Sequence, residues 1–364
     1  MAHSPGHRAG SGIKREGLAG WAFVSPTVLI LGIFLFLPIV MALWVSVSDW
    51  SGRQSPFSSG VNFVGARNYA DVLGGQGLVG RDFGLAIRNN LYYVLLVVPL
   101  QTMLSLFLAV MVTRKGLKAT GFFRTAFYFP SVTSSVAITV LWLFLFNPAG
   151  PINQVLSWFS LNGPNWFQDP RGILHLLLGA AGVQPSAAMR QPGLFGISGW
   201  DWLAGPSVAM TAFILMAIFT TSGTFMLLFI AALLNIGEET TEAGMVDGAD
   251  AWARFRYITL PLLRPTLFTV ITLGLIGTWQ VFDQIYTGTQ GGPAKTTMTP
   301  AYLSYSSAFL DTQWGRGAAI AFILFVIIIV MTVLQRLVLG DADPSNPSRR
   351  ERRAQRRAQE ASHG

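Results

Sequence analysis

No cysteine occurs among the 364 residues. That excludes disulfides, thiol chemistry and cysteine-ligated metals. Charge is scarce as well: 12% of the chain is Asp, Glu, Lys or Arg, where a soluble protein carries about 25%. Of the four histidines (His3, His7, His175, His363), three lie in the tails. A histidine-based catalytic or metal site therefore has no material, and no catalytic residue or metal ligand is expected. No Gly-x-x-x-x-Gly-Lys-Ser/Thr run is present, so the chain holds no nucleotide phosphates by that device.

What is present is apolar. Hydrophobic residues make up 51% of the chain, with 26 Phe and 11 Trp, which points to lipid as the solvent. The net charge of +8 comes without an aromatic-basic module, so no nucleic acid is expected. The basic residues flank apolar segments, and membrane topology accounts for them.

About 20 apolar residues cross a bilayer as a helix. Six segments qualify, at about 21–47, 89–112, 122–146, 205–235, 265–284 and 317–338. Pro26, Pro38, Pro99 and Pro130 fall inside them. Proline is tolerated in such helices because neighbours satisfy the freed carbonyls. The first run is too long for a signal-peptide core and reads as a retained span. The expected class is all-α, a polytopic membrane protein of six transmembrane helices. It has an N-terminal tail (1–20), a membrane domain (21–338) and a basic tail (339–364).

With the N-terminus cytoplasmic, the inside segments hold 17 of the 25 Lys and Arg, and the longer outside segments hold 8. This bias predicts both termini inside. The tail holds six arginines between Arg349 and Arg357 and reads as a solvated segment near anionic lipid. The second outside loop carries an insertion at about 170–198. Its apolar piece, Gly172 to Gly182, is too short to span and is expected at the interface or on the outer face.

The connector at 236–264 is the most informative stretch. It places Glu238, Glu239, Glu242, Asp247 and Asp250 with Arg254 and Arg256 between two long apolar runs. Acids in a first turn suit the positive end of a helix dipole. Gly248 fits a left-handed helix stop, and Asp250 fits the N-cap of a second short helix running to about Ile258. Glu238, Glu242 and Met245 share a helix face. Such a segment suits docking into a partner's groove; the plain alternative is a solvated amphipathic loop.

The residues then become familiar. Glu242-Ala243-Gly244, Gly248 and Ile258-Thr259-Leu260-Pro261 resemble the EAA loop of the inner-membrane permeases of binding-protein-dependent ABC importers. The spacing matches throughout, and Asp247, Ala249 and Phe255 extend the likeness. Gly244 departs from the usual second alanine, a change that loosens a helix by up to about 1 kcal/mol. Phe282-Asp283-Gln284-Ile285-Tyr286 and Gly291-Gly292-Pro293 resemble the sugar-permease branch. So do Trp142, Phe146-Asn147-Pro148 and Phe63-Val64-Gly65 with Asn68-Tyr69. The likeness covers about residues 20–338, without the insertion.

The resemblance implies a type I ABC importer permease fold in a bacterial inner or plasma membrane. It implies as partners a second permease, commonly non-identical, two ATP-binding cassette ATPases and an extracytoplasmic solute-binding protein. This chain would bind no cofactor; ATP and Mg would belong to the ATPases. The coupling loop would comprise Glu238, Glu239, Glu242, Ala243, Gly244, Asp247, Gly248, Ala249, Phe255 and Pro261, with Glu242 in a charge pair with an ATPase.

A sugar path needs hydrogen-bonding groups and aromatic faces within the bundle. The candidates are Asn90, Tyr93, Gln101, Trp279, Gln280, Asp283, Gln284 and Tyr286, with a hydroxyl cluster at Thr220, Thr221, Ser222 and Thr224. Each could equally serve interhelical hydrogen bonding or interface anchoring, and Asp283 could instead pair with Arg316. Three rivals stay open: an ABC permease for another solute class, a gradient-driven transporter and a membrane enzyme. Spans nearly free of ionisable groups argue against the second.

Overall fold

The computed structural model describes residues 12–75, 77–114 and 116–339. The outer parts of both expected tails (1–11 and 340–364) lie outside the described residues. Among those described, all regular structure is helical, with isolated bridges at Ser48–Phe63, Gly172–Ser207 and Pro192–Ser198.

Helices α1 (Gly12–Leu31) and α2 (Leu37–Ser46) form one rod through a π turn at Gly32–Phe36. There the Leu37 amide donates to the Gly32 carbonyl. Pro38 follows and has no N–H to give, so the wider turn re-pairs the backbone just before it. The loop after α2 folds back on its end. Asn68 Nδ2 donates to the Ser46 and Ser48 carbonyls, both at 2.9 Å, and Tyr69 Oη meets Ser46 Oγ at 2.7 Å.

After α3 (Arg67–Leu73) comes α4 (Gly77–Val112), 36 residues long. At 1.5 Å per residue it measures about 54 Å, more than a bilayer with its headgroups at about 40–45 Å. The span expected from Asn89 therefore begins twelve residues earlier. Gly77, Gly80 and Gly84 make that stretch read as a loop, but tertiary contacts hold it helical. Phe195 packs over Gly84 and meets Phe83 edge-on at 6.0 Å. Arg88 Nη1 donates to the Asp201 carbonyl (3.2 Å), and Tyr92 Oη donates to the Trp202 carbonyl.

The third expected span is not one helix. It is α5 (Thr120–Val132) and α6 (Ser135–Leu145), bent by 98°. Thr133 and Ser134 are extended at the corner, with ψ of 145° and 131°. Pro130 removes one ladder bond, and the hydroxyl residues Ser131 to Ser135 compete for backbone partners.

Four short helices follow: α7 (Pro151–Trp158), α8 (Ile173–Ala180), α9 (Ala187–Arg190) and α10 (Gly199–Trp202). The fourth span is α11 (Val208–Leu234), capped by Ser207, whose side chain accepts from the Met210 amide. The connector holds α12 (Glu238–Val246), α13 (Ala251–Arg254), a π turn at Phe255–Thr259 and α14 (Leu260–Leu262). The fifth span is α15 (Arg264–Trp279); the chain then opens at Gln280–Phe282 before α16 (Asp283–Gly288). After α17 (Pro300–Tyr305), α18 (Trp314–Leu339) forms the sixth span. Among the described residues five helical segments are long and apolar enough to cross a membrane alone, and the bent pair, counted as one span, makes six.

The core lies between α4 and α11, where Phe83, Tyr93, Met210, Phe213 and Met216 are buried with Ile285 and Ile320. A second cluster, with Val112, Met226, Phe229 and Leu263, closes the connector end. Lipid tails compete with apolar side chains, so close backbone approach matters more than hydrophobicity. At Gly223 of α11 an added Cβ would lie 2.3 Å from the Phe127 carbonyl oxygen of α5. Gly223→Ala should therefore cost about 1–3 kcal/mol, read as a lower melting temperature of the detergent-purified protein. Gly121→Ala on the open side of α5, with nothing within 4 Å, should leave it unchanged or slightly raised.

Candidate functional site

Two places gather the candidate residues, at different depths in the bundle. The first is the connector. Its α12 ends in a full left-handed stop. The Gly248 amide donates to the Met245 carbonyl (3.1 Å) and the Ala249 amide to the Gly244 carbonyl (2.9 Å), with Gly248 at φ +80°. This is the pair of bonds that satisfies the last carbonyls of a helix. Asp250 then caps α13, accepting from the Ala253 amide at 2.6 Å. Arg254 Nη1 reaches back to the Ala249 carbonyl (2.8 Å) and ties the turn.

The second connector helix runs further than Ile258. The Leu260 amide donates to the Phe255 carbonyl across the π turn. The bond again comes from the residue before a proline, here Pro261. Helical winding thus continues to Leu262, where Leu263 (ψ −2°) turns it into α15. Glu239, Glu242, Ala243, Asp247 and Gly248 are exposed, as are Met245, Val246, Trp252 and Tyr257, while Phe255 and Pro261 are half-buried. Trp252 and Phe255 sit 5.8 Å apart. The apolar share of this surface exceeds what the acids alone suggested.

Gly244 now has a reason. A Cβ there would stand 2.6 Å from Ile258 Cδ1, so the glycine lets the second helix lie close on the first. Any loosening of α12 is offset by that contact.

The second place lies where the two broken spans meet. A cavity of about 290 Å³ is lined by Ser131, Thr133 and Ser135 at the α5–α6 corner, Thr220, Thr221 and Thr224 of α11, and Gln284 of α16. Ser131 Oγ donates to the Thr220 carbonyl (2.5 Å) and accepts from the Thr224 amide (3.2 Å). Asp283 accepts from Ser135 Oγ at 3.1 Å. The Asp283–Arg316 pair is not formed. The chain opening at Gln280–Phe282 turns Asp283 toward α6, while Arg316 lines a separate recess with Asp49 and Asp71.

The other candidates divide. Gln280 is exposed at the opening, and Tyr286 is stacked on Phe282 (5.5 Å) and set edge-on to Tyr305 (5.2 Å). Asn90, Tyr93 and Trp279 are buried in the helix packing and do not line the cavity. Gln101 is wedged between spans: its Oε1 accepts from Thr221 Oγ1 (2.5 Å), and its Nε2 occupies the space that a side chain at Gly274 would need. Ser131, Thr133 and Ser135 were missed among the candidates. Their signal was a hydroxyl run just after Pro130 inside an apolar segment.

The fold and both places are now set against known proteins. A family model described as the binding-protein-dependent transport system inner membrane component matches residues 101–340. The chain belongs to this family. The matched region holds both the connector and the cavity. A lactose transport system permease protein of Rhizobium radiobacter is 30% identical over 82% of this chain and 86% of its own length. A trehalose/maltose transport system permease protein of Thermococcus litoralis is 28% identical over 85% and 89%. Among solved structures, a bacterial ABC transporter involved in the import of the acidic polysaccharide alginate has the same fold. Its TM-score is 0.66 at 20% identity, over 92% of this chain and 99% of that one. The protein is thus a multi-pass membrane permease with the type I ABC importer fold.

The stop at Gly248 and the contact at Gly244 make opposite demands on a new methyl group. Gly248→Ala should cost about 1–2 kcal/mol, because only glycine takes this left-handed conformation freely. Gly244→Ala should nearly break even. It gains up to about 1 kcal/mol of helix propensity and loses a similar amount by moving Ile258 off its rotamer, roughly 0.5–1.5 kcal/mol. Amide hydrogen exchange over residues 238–262 should quicken in the first variant only.

Proposed function

We propose that this chain is one permease half of an ATP-driven importer, passing a carbohydrate inward from an extracytoplasmic solute-binding protein. The observation that carries the reading is the connector. It offers two capped helices with exposed acids and aromatic side chains, the second of which winds on to Leu262 and turns at Leu263 into α15. A docked partner that shifts α12 pulls on the fifth span through a short, stiff link. Two separate ATPases would receive this connector and that of a second, commonly non-identical permease. ATP and Mg would be held by the ATPases. Glu242 would pair with a basic ATPase group, and the turn at Gly248 would let the partner approach closely.

Carbohydrate as cargo is supported by the relatives for lactose, trehalose/maltose and arabinooligosaccharides. The solved alginate transporter in complex with a pentasaccharide-bound periplasmic protein supports a solute-binding partner. The cavity chemistry agrees. Ser131, Thr133, Ser135, Thr220 and Gln284 both donate and accept, as sugar hydroxyls require; the aromatic faces of Phe282 and Tyr305 line a separate recess. Asp283 and Gln284 are the favoured path residues. The distribution of Lys and Arg supports an orientation with both termini and the connector cytoplasmic.

Alternating access follows from the two breaks. The α5–α6 corner and the Gln280–Phe282 opening face each other, so a tilt of α15 shifts the Asp283–Ser135 contact and reshapes the cavity wall.

In proteoliposomes holding the assembled complex, uptake should stop when ATP is withheld and persist with an uncoupler; the converse pattern would replace this reading with a gradient-driven carrier. Glu242→Lys should lower transport-linked ATP turnover fivefold or more, for a coupling energy of roughly 1–3 kcal/mol. Asp283→Ala should reduce uptake while ATPase docking survives. Unchanged uptake would remove Asp283 from the path.

A further inference from the structure

Helix α8 is inside out. Its sequence ILHLLLGA holds one polar side chain, His175, and that one turns inward. The His175 ring stacks on Trp200 at 4.4 Å, and its Nε2 lies 2.9 Å from the Trp200 carbonyl oxygen. Three of its four leucines are largely exposed: Leu174, Leu176 and Leu177 at 43%, 36% and 61%, while Leu178 is half-buried and Leu174 also packs on Gly205. A helix bathed in water carries the opposite pattern.

The level of α8 is fixed by the fourth span. The Ile173 amide donates to the Pro206 carbonyl (2.9 Å), Leu174 to Ala204 (3.0 Å), and Val208 in return to Arg171 (3.0 Å). These bonds seat α8 on the N-terminal end of α11. With 27 residues, α11 measures about 40 Å and matches a bilayer with its headgroups at about 40–45 Å. Its first turn therefore stands at a headgroup boundary, and α8 leaves from there. Eight residues reach only about 12 Å, too short to cross, so α8 stays near the boundary.

The neighbouring polar groups agree with that level. Asp169 and Arg171, just before α8, pair at 2.6 Å, and the Arg171 guanidinium holds the Asp169 carboxyl below its usual range. Charges stand at the foot of the helix and none within it. Trp158, Phe159 and Leu161, at the end of α7, are also exposed. Aromatic side chains of this kind favour the membrane–water boundary.

We propose that α8 is an interfacial foot. Its exposed leucines lie in the edge of the acyl chains, in the leaflet opposite the Glu238–Pro261 connector. Through the Ile173–Pro206 and Val208–Arg171 bonds it sets the depth at which α11 is held. Lipid is the occupant, because the exposed side chains are uncharged, apolar and seated at headgroup level. The foot does not depend on what the permease carries.

The absence of cysteine makes the test direct. Leu177→Cys is spin-labelled in the full complex in lipid nanodiscs, with Leu174→Cys as a second site and Arg190→Cys, exposed in the same insertion, as a water-side reference. Unsubstituted complex reports any labelling of the partner subunits. A label at 177 or 174 should collide more with oxygen than with a water-soluble nickel chelate, and the label at 190 should do the reverse. A nickel-accessible label at both leucine positions would overturn the foot and leave a water-facing loop. A label shielded from both reagents would overturn it in favour of a covering protein subunit.

Discussion

Inside a bilayer every backbone carbonyl needs a donor from the protein, and this chain opens its helices at two points within its spans. The two openings share one contact, between Ser135 and Asp283. Ser131 at the α5–α6 corner bonds into α11, Ser135 bonds Asp283, and Thr299 Oγ1 donates to the Val281 carbonyl freed at the second break (3.0 Å). Ser131 and Ser135 also line the cavity, so groups that hold the openings in place give it part of its polar wall.

The prolines show the same constraint in milder form. At Pro38 and Pro261 the chain widens one turn and lets the preceding amide bond five residues back. Winding is preserved across the missing donor. At Pro261 this matters most, because the rigid path from Asp250 into α15 crosses that residue. A simple kink there would have decoupled the connector from its span.

Much of this was legible in the sequence. The apolar segments follow from composition, and the left-handed stop at Gly248 and the cap at Asp250 follow from local chemistry and appear where those rules put them. The 98° corner was not legible: Pro130 is tolerated in many spans, and only the Ser–Thr run after it hinted at a break. The extension of α4 back to Gly77 was hidden by three glycines whose helicity comes from Phe195, Arg88 and Tyr92, contacts between residues far apart in the chain. Gln101 and Trp279 look like lumen residues on polarity alone. Their burial depends on which way each helix is rotated, and a helix that is apolar all round carries no signal for rotation.

The extended α4 has a mechanical meaning. Its outer part is bonded to the segment at α10 through Arg88 and Tyr92, packs on the insertion through Phe83 and Phe195, and is held to the loop after α16 by the Asp82–Lys295 pair at 2.7 Å and by Asn89, which donates to the Lys295 and Met298 carbonyls. Helix and cap therefore behave as a mast with its rigging. A tilt of α4 within the membrane moves the parts of the cap bonded to it sideways, and the movement grows with height above the lipid. A protein resting on that cap would register a small rearrangement of the spans as a much larger displacement of its own seat.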